Sequence, residues 1–399
     1  MTRNKNGLTS SMKPNRASTA QICCEEPFRL FFPVGLLLGM VGVSLWPAYY
    51  AGLVTAYPGT SHSRLMIEGF MASFIFGFLG TAGPRITSAP HFSLREIAVI
   101  FTLDLLAAGF HISGAHRIGD ICFAVCLLFF ARTIRIRFQQ RKDCPPPNFV
   151  LVALGLASGI AGATLLAYSE AAQYSPLYQL GSALLHQGFV LLPILGVAPF
   201  FLARLLDLPR PEVPEPRAFP LGWFRQAAFP ALAGLAILGS FFLEVFYQPE
   251  TGRWIRAAVI VVYLAAQMPF RGRTFLANCL RTANISIAAG FIIAALFPIY
   301  RVAALHIVFV TGFNFIVFTV AIRVVFGHSG NAHLFQKRLP FFIISGAFLF
   351  LAMISRFTAD LAPDARILHL VAAAVCWLVA TFIWMVKVIP KVAIAEQEG

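Results

Sequence analysis

Apolar stretches long enough to cross a bilayer follow one another along almost the whole chain, and they leave room for one kind of architecture. A hydrocarbon core about 30 Å thick takes about 20 apolar residues per helix and offers no water to backbone groups left unpaired. Twelve such stretches can be marked, at residues 29–53, 65–84, 96–113, 117–134, 148–168, 177–206, 222–247, 254–270, 282–300, 302–326, 339–361 and 365–390. Of the 399 residues only 12% are charged and 58% are hydrophobic, whereas a soluble domain carries about 25% charged residues. The expected fold is therefore all-α: a polytopic integral membrane protein with about twelve transmembrane helices. The third, fourth and eighth stretches are the weakest, because Asp104, Asp120 and Gln267 interrupt them.

The segments between these stretches set the domain plan. Residues 1–26 are polar, carry Arg3, Lys5, Lys13 and Arg16, and lack the apolar core of a signal peptide. They are expected to be a disordered cytoplasmic tail. Helices 1–6 then occupy 27–206, a Pro-rich cytoplasmic linker 207–221, helices 7–12 residues 222–391, and a cytoplasmic C-terminal tail 392–399. Loop charge gives the orientation. With the N-terminus inside, the outer loops collect Arg64, Arg117, Arg253, Arg256, Arg301 and Arg366, and Arg356 lies within helix 11. The rest of the 31 Lys and Arg fall in the tails, the inner loops or the inner helix ends. The expected location is the inner (cytoplasmic) membrane, with both termini cytoplasmic. The net charge of +14 thus belongs to cytoplasmic loops facing a lipid bilayer, and no nucleic-acid partner is expected. No repeat relates the two halves, and there is no phosphate-binding glycine loop, so an inverted-repeat transporter or a nucleotide-driven pump is not supported. Seven cysteines without a C-x-x-C pair support neither a disulfide framework nor a zinc site.

Within this plan one stretch carries chemistry, Ala303 to Gly330. It holds His306 near its start and His328 at its end, 22 residues apart. At about 1.5 Å per residue that is roughly 33 Å, the thickness of a bilayer core, so the two histidines face opposite membrane surfaces. His328 followed by Ser329 and Gly330 fits a helix end, where the dipole favours a cation and glycine closes the last turn. Of the other histidines, His62, His111, His116 and His369 fall near the outer surface with His306, and His186 lies about nine residues into helix 6 from that side. His91 and His333 lie inside with His328. A group of imidazoles brought together by a bundle suits a metal or a haem, and spacing alone does not name which. Met66, four residues after His62, shares its helix face, and a thioether with an imidazole suits copper, although a core methionine has the same pattern.

Charges inside the membrane are costly unless paired. Glu68, Asp104, Asp120, Glu244 and Arg356 lie in or at the ends of helices and are expected to face the interior. They read either as ion pairs that hold helices together, such as Arg356 with Asp120 or Glu244, or as a proton path.

Several stretches together resemble the NnrS family, twelve-helix bacterial membrane proteins. Pro27-Phe28-Arg29-Leu30-Phe31-Phe32 is similar to its opening F-R-P-F-F. His62 to Thr87 is similar to W-H-A-H-E-M…G-F-L-L-T-A-x-P-x-W-T, Asp120 to Phe123 to a D-x-x-F element, and Trp377 to Pro390 to the final helix. His306 with Ala321 to Gly330 resembles H…M-x-R-V-x-L-G-H-T-G. The resemblance covers the chain from Pro27 onward. It implies haem b, with His62 and His306 as axial ligands and His186 and His328 as further candidates. It also implies copper, nitric oxide as a gas ligand, and a role in denitrification or nitrosative stress. The alternative is a metal-free proton-coupled secondary transporter or permease. One departure matters: the family's second histidine and glutamate in H-A-H-E-M are Arg64 and Leu65 here, and a guanidinium does not ligate a metal. No acid–base pair or nucleophile defines a reaction, so enzyme activity is left open.

Overall fold

Every apolar stretch coils into helix, because a helix satisfies its own backbone groups in lipid. The computed structural model describes residues 19–205, 219–267 and 274–394. Among them twelve long helical rods follow in order: α1 (Phe28–Tyr50), α2 (Gly59–Thr87), α3 (Leu94–Ile112), α4 (His116–Gln140), α5 (Pro147–Ala172), α6 (Pro176–Phe200), α7 (Leu221–Phe246), α8 (Pro249–Gln267), α9 (Phe275–Leu296), α10 (Pro298–Gly327), α11 (Pro340–Leu361) and α12 (Pro363–Val392). Nine of the described rods are long and apolar enough to cross a membrane. The other three are α3, α4 and α8, the stretches that Asp104, Asp120 and Gln267 interrupt. Residues 1–18 of the expected tail, 207–218 of the expected linker, 268–270 of the eighth expected stretch and 395–399 of the expected C-terminal tail lie outside the described residues. The end of that expected tail is ordered: Thr19–Glu25 is a short helix, and Glu26 is buried.

The rods recur in groups of four. Within each group the first packs on the second and the third on the fourth. The fourth rod of one group meets the first of the next, and α12 returns to α1 to close the ring. The second rods, α2, α6 and α10, run deepest: 78%, 67% and 67% of their apolar windows are buried, more than in any other candidate span. Glycines on the first rods permit this depth. A Cβ added at Gly42, Gly162 or Gly290 would come within 2.9 Å of Leu65, 2.6 Å of Leu185 or 2.5 Å of Val308. Each deep rod carries a polar-Gly-Phe triplet: Glu68-Gly69-Phe70, Gln187-Gly188-Phe189 and Thr311-Gly312-Phe313. Each also widens there into a π-helical segment, at Leu65–Met71, Leu184–Gly188 and Ile307–Asn314. Such segments cost hydrogen-bond quality and cluster at functional sites. The recurrence is by thirds, so a comparison of halves does not find it.

At the rod ends the third and fourth helices of each group are tied by a polar pair. These are His111 with Asp120 (4.0 Å), Glu244 with Arg256 (2.6 Å), and Ser355 with His369 (2.9 Å from Oγ to the carbonyl). At the opposite end of the bundle α10 closes as expected, with His328 at its cap and Gly330 at φ +70°.

Candidate functional site

The two described chain ends lie together: the Arg29 guanidinium donates to the carbonyls of Val392 and, at 2.7 Å, of Ile394. At the other end of the bundle a cavity of about 920 Å³ opens between α1, α2, α6, α10, α11 and α12. That is a volume suited to a bound small molecule or cofactor. His62, His186 and His306, one from each deep rod, all line it, together with Met66, Trp46, Tyr50, Phe309 and Trp377. His62 and His186 thus share the cavity with His306, whereas His328 is at the far end of α10.

The hydrogen bonds separate the three histidines. His62 Nδ1 donates to the Gly42 carbonyl at 3.0 Å, and His306 Nδ1 donates to the Val302 carbonyl at 2.7 Å. A carbonyl only accepts, so in the neutral form of each ring the proton sits on Nδ1 and Nε2 keeps its lone pair. This is the arrangement a metal-ligating imidazole uses, its second nitrogen held by a backbone carbonyl. His186 is committed elsewhere. Arg64 Nη1 donates to its Nε2 at 3.0 Å, and its Nδ1 meets Ser182 Oγ at 2.9 Å.

Behind His186 lies a buried charge network. Arg64 Nε is 2.6 Å from Asp120 Oδ1 and 3.4 Å from Glu68 Oε1, and Glu68 Oε2 is 2.9 Å from His111 Nε2. His111 Nδ1 in turn lies 3.4 Å from His116 Nδ1, nearer the surface. Glu68, His111 and Asp120 offer donor atoms within 4.8 Å of one another, a group that could hold a metal ion. Arg64 already supplies a cation to the two carboxylates. It was expected in an outer loop, as was Arg256, but both are buried inside the bundle.

The remaining intramembrane charges also find partners, though not all the expected ones. Asp104 accepts from Ser73 Oγ at 2.8 Å, and its Oδ1 has no hydrogen-bond partner among the described residues. Glu244 draws Arg256 (2.6 Å), Arg301 (2.9 Å) and Arg253 (3.8 Å). Arg356 pairs with neither Asp120 nor Glu244 as expected. It lies 3.3 Å from Asp360, one turn along its own helix, which is nearer than any acid across the bundle.

His328 sits in a separate cluster at the chain-terminal end. Its Nδ1 is 2.6 Å from Glu26 Oε1, which also takes Arg85 Nη2 at 2.8 Å, while Arg29 bonds the other Glu26 oxygen. Burial alone would push the Glu26 carboxyl up. The hydrogen bond and charge of His328, with those of Arg29, outweigh it and hold the group at about 2.

Sequence reasoning left out His111, Arg301 and Arg366 as members of these sites. His111 had a signal: it lies seven residues after Asp104, hence on the same face of α3, and both are fully buried. For Arg301 and Arg366, which line the cavity, no signal within their own helices marks them. The protein-family model described as "NnrS protein" matches residues 23–393 of the chain. Comparison with curated proteins found no match.

Proposed function

The chain belongs to the NnrS family, and on that premise we propose that it binds haem b in the cavity between α1, α2 and α10. His62 and His306 would hold its iron. One observation carries this reading: both rings line one cavity with Nδ1 tied to a backbone carbonyl and Nε2 left with its lone pair. When bound, the haem would supply one-electron chemistry and a site for a gas ligand such as nitric oxide. The aromatic lining from Trp46, Phe309 and Trp377 excludes water, and the neutral tautomers of His62 and His306 leave the cavity walls uncharged at those points. The physiological role we assign is nitric oxide handling in nitrosative stress or denitrification, in the inner membrane with both termini cytoplasmic. Were copper rather than haem held at this end, His62 and Met66, which line the same cavity, would be its donors.

A purified, full-length preparation made with ample haem tests the reading by its absorption spectrum. A Soret band that shifts on addition of nitric oxide supports it. A haem-free spectrum sinks it and favours the second reading, a proton-coupled transporter. The observation behind that alternative is the set of buried acids, Glu68, Asp104 and Asp120, the first and last of them reached from the surface through His116 and His111.

A further inference from the structure

The cavity mouth is built of arginine. Arg301, Arg356 and Arg366 line it, against one lining carboxylate, Asp360. That acid is shared, at 3.3 Å from Arg356 and 3.7 Å from Arg366. Arg301 turns to Glu244, which is itself divided among three arginines. Positive charge therefore exceeds negative at the mouth. Arg356 is the most enclosed of the three lining cations, its side chain 14% exposed against 46% for Arg301 and 57% for Arg366. Its Nη1 is the atom that faces Asp360, at 3.3 Å, and it makes no hydrogen bond among the described residues. A guanidinium carries five N–H donors, and a long contact with one shared carboxylate leaves it capacity for a further acceptor. Arg356 lines the same cavity as His62 and His306. An anion that it held would thus share that cavity with whatever the histidines hold.

This end of the bundle is otherwise poor in cations. Few of the 31 Lys and Arg fall here, yet three of them converge on one cavity. Topology does not call for them there, since the excess of basic residues belongs at the other face.

We propose that Arg356, assisted by Arg366, binds the two propionate carboxylates of the porphyrin, and so sets which edge of the ring faces the mouth. The proposal rests on the haem reading above. A guanidinium meets a carboxylate with two parallel N–H donors, an arrangement that a lysine or an amide does not reproduce. Asp360 holds Arg356 and Arg366 side by side at the mouth, so both carboxylates can be met from one side of the cavity.

The test is a titration of the full-length protein, expressed under haem limitation and placed in phosphatidylcholine nanodiscs. It is titrated with haemin and with haemin dimethyl ester, in which both carboxylates are esterified, and the Soret band is followed. Wild type is expected to bind the ester at least roughly tenfold more weakly than haemin, the worth of one charge-assisted pair. Arg356→Gln is expected to weaken haemin by a similar factor and leave the ester unchanged. Thermal melting of the ligand-free protein confirms that the variant is folded, and Arg366→Gln provides a second, independent variant. Binding of neither compound by wild type would overturn the haem reading and this proposal with it. Equal binding of both would leave haem in place and overturn the proposal alone. So would an equal loss for both compounds in Arg356→Gln, which is the signature of a purely structural role. If the two bind equally, and phosphatidylglycerol raises the melting temperature of wild type but not of Arg356→Gln, the arginine belongs to a lipid headgroup instead.

Discussion

Arg64 on α2 and Asp120 on α4 form an ion pair, with Nε 2.6 Å from Oδ1 and side chains 2% and 1% exposed. Two charges removed from water in this way repay their desolvation only through each other. Removing one partner is therefore far worse than removing both. Asp120→Ala is expected to lower stability by about 3–5 kcal/mol. Glu68 shares the Arg64 cation at 3.4 Å, so the triple variant Asp120→Leu, Arg64→Met and Glu68→Gln should recover a large part of the loss, measured by unfolding in detergent–denaturant mixtures. Additive losses in the triple variant would show that the network has no such mutual dependence.

Arg64 also occupies the cation position beside Glu68, His111 and Asp120. Replacing it with histidine removes the resident charge and adds a ligand. We expect Arg64→His to take up a divalent metal such as copper above the wild-type level, read by elemental analysis of purified protein. An unchanged metal content would mean that these three donors do not form a site even when the guanidinium is gone.

The two histidines of α10 should behave differently. His306→Ala is expected to abolish the Soret band, because it removes an Nε2 facing the cavity. His328→Ala is expected to retain most of it, because His328 bonds Glu26 at the other end of the bundle. Its cost should appear in the melting temperature instead. A Soret band lost in His328→Ala and kept in His306→Ala would move the site to the chain-terminal end.

The Glu26 cluster predicts a pH dependence. The folded-state value of about 2 lies below the ordinary carboxylate value of 4.5. Its contribution is therefore complete above pH 4.5 and is lost as pH falls from there through about 2. Wild type and Glu26→Gln should differ in melting temperature at pH 6, and the difference should narrow on acidification to pH 3. A constant difference across that range would contradict the assignment.

The loops on either side of α5 test orientation. Reporter fusions at Lys142 and Gln173 should report opposite faces, with Lys142 on the cytoplasmic side. Equal signals from both would require a different arrangement of spans.

Much of the fold was legible in the chain because lipid imposes it. Twelve apolar stretches had to become helices, and their ends follow prolines, glycines and charges that can be read one by one. Gly330 closing α10 at φ +70° is such a local feature. So is the separation of His306 from His328, since rise per residue is a property of the helix alone. The requirement that Glu68, Asp120 and Glu244 be buried and paired was also readable, because an isolated charge in lipid is too costly to keep.

Which partner each charge takes was decided by tertiary structure. Arg64 meets Asp120 across 56 positions of sequence, and Arg356 turns to Asp360 on its own helix, because helix azimuth and depth, not spacing along the chain, set those distances. The convergence of His62, His186 and His306 on one cavity has the same origin. It depends on α2, α6 and α10 being the deep rods of three successive groups, and that depth comes from close contacts at Gly42, Gly162 and Gly290 that no single helix contains. The sequence by itself determined that there would be histidines at this end of a helical bundle. Only the packing of the rods decided that two of them keep a free Nε2 toward the same space while the third is held by Arg64.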